Sequence, residues 1–157
     1  MMPRLIVEVV QGRGSDELFS VPASATVSDA VDEMARREIG AVLVMTEEQL
    51  VAGIFTERDL LMRVVRQGLD PRTTPLSLVM TREVCFVSPG TTLEAAMALM
   101  HVRKHRHLLV IDGPTVHGLV SMRDLVYQLV RHGLPPVAGA SGAAPSATPS
   151  TAQASTP

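Results

Sequence analysis

Of the 157 residues, one is cysteine and one is lysine; there is no tryptophan, a single tyrosine and only three phenylalanines. The lone cysteine, Cys85, sits in an apolar run, which excludes a disulfide framework and a cysteine zinc site and points to a reducing compartment. With aromatics so scarce, the stacking platforms that hold single-stranded nucleic acid are missing, and a formal charge of -2 gives no overall attraction to a phosphate backbone. No apolar run approaches the roughly 20 residues of a membrane-spanning helix. The first such run, Leu5 to Val10, is broken by Glu8 and lacks a cleavable signal pattern, so the expectation is a cytoplasmic protein. The sequence also lacks a Walker-type phosphate loop, a nucleophile with a paired base and a metal triad, and an enzyme is not expected.

What is present is a pattern that occurs twice. Gly53-Ile54-Phe55-Thr56-Glu57-Arg58-Asp59-Leu60 returns as Gly118-Leu119-Val120-Ser121-Met122-Arg123-Asp124-Leu125. Upstream, Val21, Thr26, Ala30 and Met34 match Val87, Thr92, Ala96 and Met100, so the octamers are parts of one internal duplication. Val27, Ala30, Val31 and Met34 fall at helical spacing behind the capping pair Thr26 and Asp29; Leu93, Ala96, Met97 and Met100 do so behind Thr91 and Glu94. Two short apolar runs follow each helix, Ala41 to Met45 with Leu50 to Phe55 and Leu108 to Ile111 with Val116 to Val120, and read as strands. A second helix starts at Thr56 or Ser121, with Leu60, Leu61, Val64 and Val65, or Leu125, Val126, Leu129 and Val130, as its buried face.

The fold class is therefore α/β (α+β): two units, each a short sheet with two helices and an entering strand. Neither unit is large enough to bury both faces alone, and packing the two sheets together solves this. The boundaries are 1–15 for a lead-in, 16–68 for the first repeat, 69–78 for a turn-rich linker and 79–133 for the second repeat. Residues 134–157, rich in Ala, Ser, Thr and Pro, cannot bury enough apolar surface to order themselves and are expected to form a disordered tail.

The order of elements and the repeated Gly, apolar, any, Ser/Thr, any, any, Asp pattern resemble a tandem pair of cystathionine-β-synthase-type (CBS) domains, a Bateman module, over about Asp16 to Arg131. The resemblance implies a pseudo-twofold disc whose two clefts bind AMP, ADP, ATP, NAD-type or S-adenosylmethionine ligands, and which commonly dimerises. The residues give this a chemical basis. Gly53 and Gly118 would admit a ligand close to the backbone, and Thr56 and Ser121 stand at helix N-termini, where amides and the dipole favour phosphate. Asp59 and Asp124, one turn further, could accept two hydrogen bonds from a ribose diol, the role of the matching aspartate in the family. The same residues also fit a capping box, and the two readings are compatible.

His101-Val102-Arg103-Lys104-His105-Arg106-His107 is the most basic stretch. Its histidines suggest metal, but no Asp, Glu or Cys completes a ligand set. A solvated loop and phosphate recognition remain open for it. In the duplication Arg106 and His107 align with Gly40 and Ala41, at the mouth of the strand that in the family faces the phosphates, so the clefts should differ. Sequence does not say which aspartate shares a cleft with Arg106. Arg58 and Arg123, just before the aspartates, could reach phosphate too. Met80 and Thr81 open the second unit's entering strand, continued by Val84 to Val87; family members line the adenine pocket there, and Val21 and Pro22 are the first-unit counterparts. Met34, Met97 and Met100 are read as core filling.

The expected function is a stand-alone regulatory module sensing an adenosyl small molecule, with no required cofactor and no metal. It is expected to form a homodimer, to act on an unknown regulated protein and not to touch the membrane. The alternatives are a ligand-independent dimerisation or interaction module regulating a partner enzyme or transporter, and a weak nucleic-acid binder, which the composition disfavours.

Overall fold

The computed structural model describes residues 4–12 and 18–132. The tail expected at 134–157 and the repeat boundaries at Asp16 and Gly133 lie outside the described residues. Among these residues each repeat forms a three-stranded sheet. In the first, β1 (Ser20–Pro22) leads through α2 (Val27–Arg37) to the parallel β2 (Ala41–Met45), and β3 (Val51–Thr56) returns antiparallel. In the second, β4 (Phe86–Val87), α5 (Leu93–Arg103), β5 (His107–Asp112) and β6 (Thr115–Ser121) repeat that path and end in α6 (Met122–Arg131). The first-unit counterpart of α6 begins as α3 (Glu57–Asp59) and passes into a π-helical segment, Leu60–Val65.

Local chemistry explains the boundaries. Thr26 and Asp29 form the expected reciprocal capping box at the start of α2, and the Thr26 amide holds the Asp29 carboxyl below its usual pKa. At α5 the cap is Thr92, whose hydroxyl accepts from the Ala95 amide, and not Thr91 with Glu94 as the spacing suggested. Thr92 is the residue that the duplication pairs with Thr26. Both helices end on a left-handed residue, Glu38 and Lys104, so even the stop signal is duplicated.

Each sheet packs one face on its own helices. Val42, Val44 and Phe55 join Val27, Ala30 and Met34 in the first core; Leu108, Val110 and Val120 join Leu93, Ala96 and Met100 in the second. Ala41, Leu43, Ile54 and Leu109 are also buried but belong to neither core. On β2 and β5 they alternate with the core residues and so point to the opposite face, where the repeats meet.

The flanking helices are exchanged between the repeats. α1 (Ile6–Gln11) precedes the first repeat but buries Ile6 and Val9 in the second core, while α4 (Leu76–Val79), at the end of the linker, buries Leu76 and Val79 in the first. The backbone bonds correspond. The Ile6 amide donates to Thr91 O as the Leu76 amide does to Ala25 O, and the Val7 amide donates to Pro89 O as Ser77 does to Ala23 O. Met80 and Thr81 follow α4 into the first unit: Met80 lies in its core, and Thr81 exchanges backbone hydrogen bonds with Ile54. They are therefore not the start of a second-unit strand, which begins at Phe86.

The expected buried helical faces are only half buried. Val64 and Leu125 are enclosed, whereas Leu61, Val65, Val126 and Val130 are exposed. No helix among the described residues is long and apolar enough to cross a membrane.

Candidate functional site

Three depressions open where the repeats meet, and two of them, the clefts, hold a motif aspartate. The first, of about 750 Å³, gathers Thr56, Arg58 and Asp59 from the first repeat, Thr81 from the segment after α4, and Lys104, His105, Arg106 and His107 from the second repeat. Arg106 thus shares a cleft with Asp59. The second, of about 410 Å³, sets Ser121, Arg123 and Asp124 against Gly40 and Ala41, with Phe19 and Tyr127 at its walls. His107 and Gly40 reach both. The third, of about 830 Å³, sets Val31, Met34 and Leu60 of the first repeat against Arg106, His107, Ser121 and Arg123 of the second; it contains neither aspartate, so it cannot hold a diol in the way argued for the clefts.

The clefts differ in charge. Arg58, Arg63, Lys104 and Arg106 outweigh Glu57, Asp59 and Glu83 in the first, while Arg37 and Arg123 balance Glu38 and Asp124 in the second. Arg37 is further engaged by Glu33 and lies over the Phe19 ring, 4.5 Å from its centroid. The first cleft therefore carries the more positive lining.

Both hydroxyl–aspartate pairs are capping boxes. The Thr56 amide and hydroxyl donate to Asp59 Oδ2 at 3.0 and 2.8 Å, and the Asp59 amide donates to Thr56 Oγ1 at 3.2 Å. Ser121 and Asp124 repeat this at 2.6, 2.5 and 3.2 Å. A hydroxyl has one proton, and here the carboxylate takes it. Thr56 and Ser121 can therefore accept from a ligand but cannot donate to a phosphate while the box is closed.

The two motif glycines serve the chain itself. A Cβ at Gly53 would stand 2.5 Å from the Thr81 carbonyl oxygen and 3.1 Å from Met80 Sδ. Gly118 has φ +153°, and a Cβ there would meet Val10 of α1 at 3.0 Å. At both positions it is the segments exchanged between the repeats that come close to the glycine. Each glycine also marks the point where its antiparallel pair shifts register. Met80, expected as a pocket wall, is core; Thr81 does line the first cleft.

Sequence reasoning missed Arg63. Its Nε lies 3.3 Å from Asp59 Oδ1 and its Nη1 donates to Met80 O at 2.9 Å. The available signal was the acid-to-base spacing of four residues on a helix. Among the described residues, no three His, Cys, Asp or Glu side chains gather as a metal-ligand set.

The profile of the CBS domain family matches residues 14–66 and 76–131. The chain belongs to the CBS domain family. It carries two CBS repeats, a Bateman module, with each repeat a short mixed sheet flanked by helices. A mitochondrial CBS domain-containing protein of Arabidopsis thaliana is 38% identical over 109 residues, covering 67% of this chain and 53% of that protein. Another CBS domain-containing protein of that plant is 33% identical over 112 residues, 71% of this chain and 21% of its own length, so the module spans about half or less of these relatives. Among solved structures, a protein with CBS domains from Burkholderia ambifaria is 33% identical with a TM-score of 0.77, covering 82% of this chain and 95% of its own. A CBS domain protein from Pyrobaculum aerophilum, solved with AMP, shares the fold at a TM-score of 0.68 and 21% identity, over 82% of this chain and 99% of its own. CBS modules are typically non-catalytic regulatory domains.

Proposed function

We propose that this CBS module senses an adenosine-containing ligand, AMP, ADP, ATP, an NAD-type dinucleotide or S-adenosylmethionine, in the clefts between its repeats, and that occupancy alters a surface read by a regulated protein. The observation that carries this reading is the convergence of Asp59 and Thr81 with Arg106 and His107 in one cleft. A carboxylate suited to a ribose diol then faces cations suited to phosphate. The AMP complex of the Pyrobaculum protein, alike in fold, supports the ligand class. The charge difference supports a division of labour, in which the first cleft takes the more highly phosphorylated ligand and the second, with its Tyr127 and Phe19 walls, a nucleoside or monophosphate.

The test is a thermal-shift panel of AMP, ADP, ATP, NAD and S-adenosylmethionine. A ligand at 100 times its Kd adds about 2.7 kcal/mol, a rise of several degrees in Tm. If no compound shifts Tm or gives calorimetric heat, the adenosyl reading is wrong. The engagement of both Asp59 oxygens by protein groups favours the second reading, a ligand-independent interaction module, and the panel separates the two.

The assembly proposed is a homodimer through the helices flanking the sheets. Leu61 and Val65 are 59% and 61% exposed, and their duplicates Val126 and Val130 are 43% and 64% exposed. An apolar stripe present on both repeats in the same register suits a partner of the same symmetry, a second copy. Light scattering should give twice the 16.8 kDa chain mass. A monomer at tens of micromolar, with and without nucleotide, would rule the dimer out.

A further inference from the structure

The repeats differ in the side chain four residues beyond the motif aspartate, and in the first repeat that side chain holds the aspartate. Asp59 Oδ2 is taken by the Thr56 cap, and its Oδ1 accepts from Thr81 Oγ1 at 2.9 Å and pairs with Arg63. Through Nη1 the same guanidinium holds Met80 O, so one side chain ties the carboxylate to the segment joining the repeats. In the second repeat the position matching Arg63 is Gln128, which carries no charge and whose carbonyl receives Arg4. The helix differs as well. The turn carrying Arg63 is π-helical, while α6 is regular, and such local π segments are common at functional positions.

We propose that Arg63 is a ligand-displaceable latch on the first cleft, a deepening that rests on the adenosyl reading above. Without ligand, Arg63 competes for the carboxylate that a ribose diol needs. A diol arriving at Asp59 Oδ1 must displace Arg63 and Thr81, and displacing them frees Met80 and Thr81 from the aspartate. Occupancy of the first cleft thus loosens the Met80–Thr81 segment seated on β3, and Gln128, at the matching position of the second repeat, has no guanidinium to act in this way. The latch also sets specificity. A ligand without a vicinal diol cannot stand in for the two groups displaced from Oδ1, so the first cleft discriminates against deoxynucleosides more strongly than an open aspartate would.

Adenosine is the probe, because it carries the diol without phosphate, so the charge removed with Arg63 does not weaken it. In Arg63→Gln, adenosine should bind about three- to tenfold more tightly than in wild type, and 2′-deoxyadenosine should gain nothing. Amide hydrogen exchange at Ile54 and Thr81, which hold each other's backbone, should be about tenfold faster in the ligand-free variant, and saturating adenosine should move wild type towards that rate. If Arg63→Gln folds poorly, Arg63→Lys keeps the charge but cannot bridge both acceptors, and carries the same predictions at smaller size. Adenosine affinity equal to or weaker than wild type, or exchange at Thr81 unchanged by either variant, overturns the latch while leaving the cleft reading intact. Failure of adenosine and ADP alike to bind either protein overturns the cleft reading and the latch with it.

Discussion

Replacing Gly53 with alanine is expected to cost about 3 kcal/mol and to lower Tm by roughly 10 °C. The new Cβ would lie 2.5 Å from a backbone oxygen, Thr81 O, which no rotamer change can move aside. Relief requires β3 and the Thr81 segment to part, which breaks both backbone bonds between Ile54 and Thr81. Each such bond contributes about 1 kcal/mol, and overpacking adds more. Gly118→Ala should cost less, about 1–2 kcal/mol. Its obstacle is the movable side chain of Val10, and most of its penalty is the φ of +153°. Urea denaturation of both variants measures the difference. Equal stabilities for wild type and Gly53→Ala would mean that the Thr81 segment does not pack on β3 as described.

Asp59→Asn should act on binding and stability together. Loss of the charge removes charge-assisted bonds to a ribose diol and should weaken adenine-nucleotide binding in the first cleft by about 1.5–3 kcal/mol, tenfold to a hundredfold or more. The same substitution weakens the Thr56 cap and the holds on Thr81 and Arg63, at about 1–2 kcal/mol of stability. Asp124→Asn should spare the first cleft and affect only the second. Calorimetric titration reports both affinities and the stoichiometry. A stability loss with unchanged affinity would leave Asp59 as a capping residue and no more.

The fold was legible where the sequence repeats itself. Registered pairs such as Val21 with Val87 and Thr26 with Thr92 locate β1, β4, α2 and α5, and two weak signals at the same offset reinforce each other. Non-local features were not legible. Helices of four to six residues such as α4 and α1 carry too little periodicity to show which repeat they serve, and their exchange is decided by burial of Leu76, Val79, Ile6 and Val9. That exchange is why Met80 and Thr81 belong to the first unit. The apolar face of the π-helical segment looked uniformly buried because spacing alone cannot separate a core stripe from an interface stripe. Leu61 and Val65 are exposed, on the stripe proposed to meet a second copy.

In the site, the motif identified Asp59 and Asp124, but the pairing of Asp59 with Arg106 depends on how the repeats face one another. The motif glycines are positions of close approach, and the group that the structure shows approaching is the chain itself. Arg63 escaped notice because its second contact, Met80 O, lies on a segment after α4 whose return onto β3 has no local sequence signature.

The central claim is that the first cleft reads ribose at Asp59 and phosphate at Arg106 in one bound ligand. It is tested most directly by titrating ADP and adenosine calorimetrically into wild type and Arg106→Ala. The account predicts that the variant loses about tenfold or more in ADP affinity while adenosine affinity stays within about twofold, since a charge-assisted contact to phosphate contributes about 1.5–3 kcal/mol and adenosine makes none. Equal affinity of both proteins for ADP, or a parallel loss for ADP and adenosine, would contradict it.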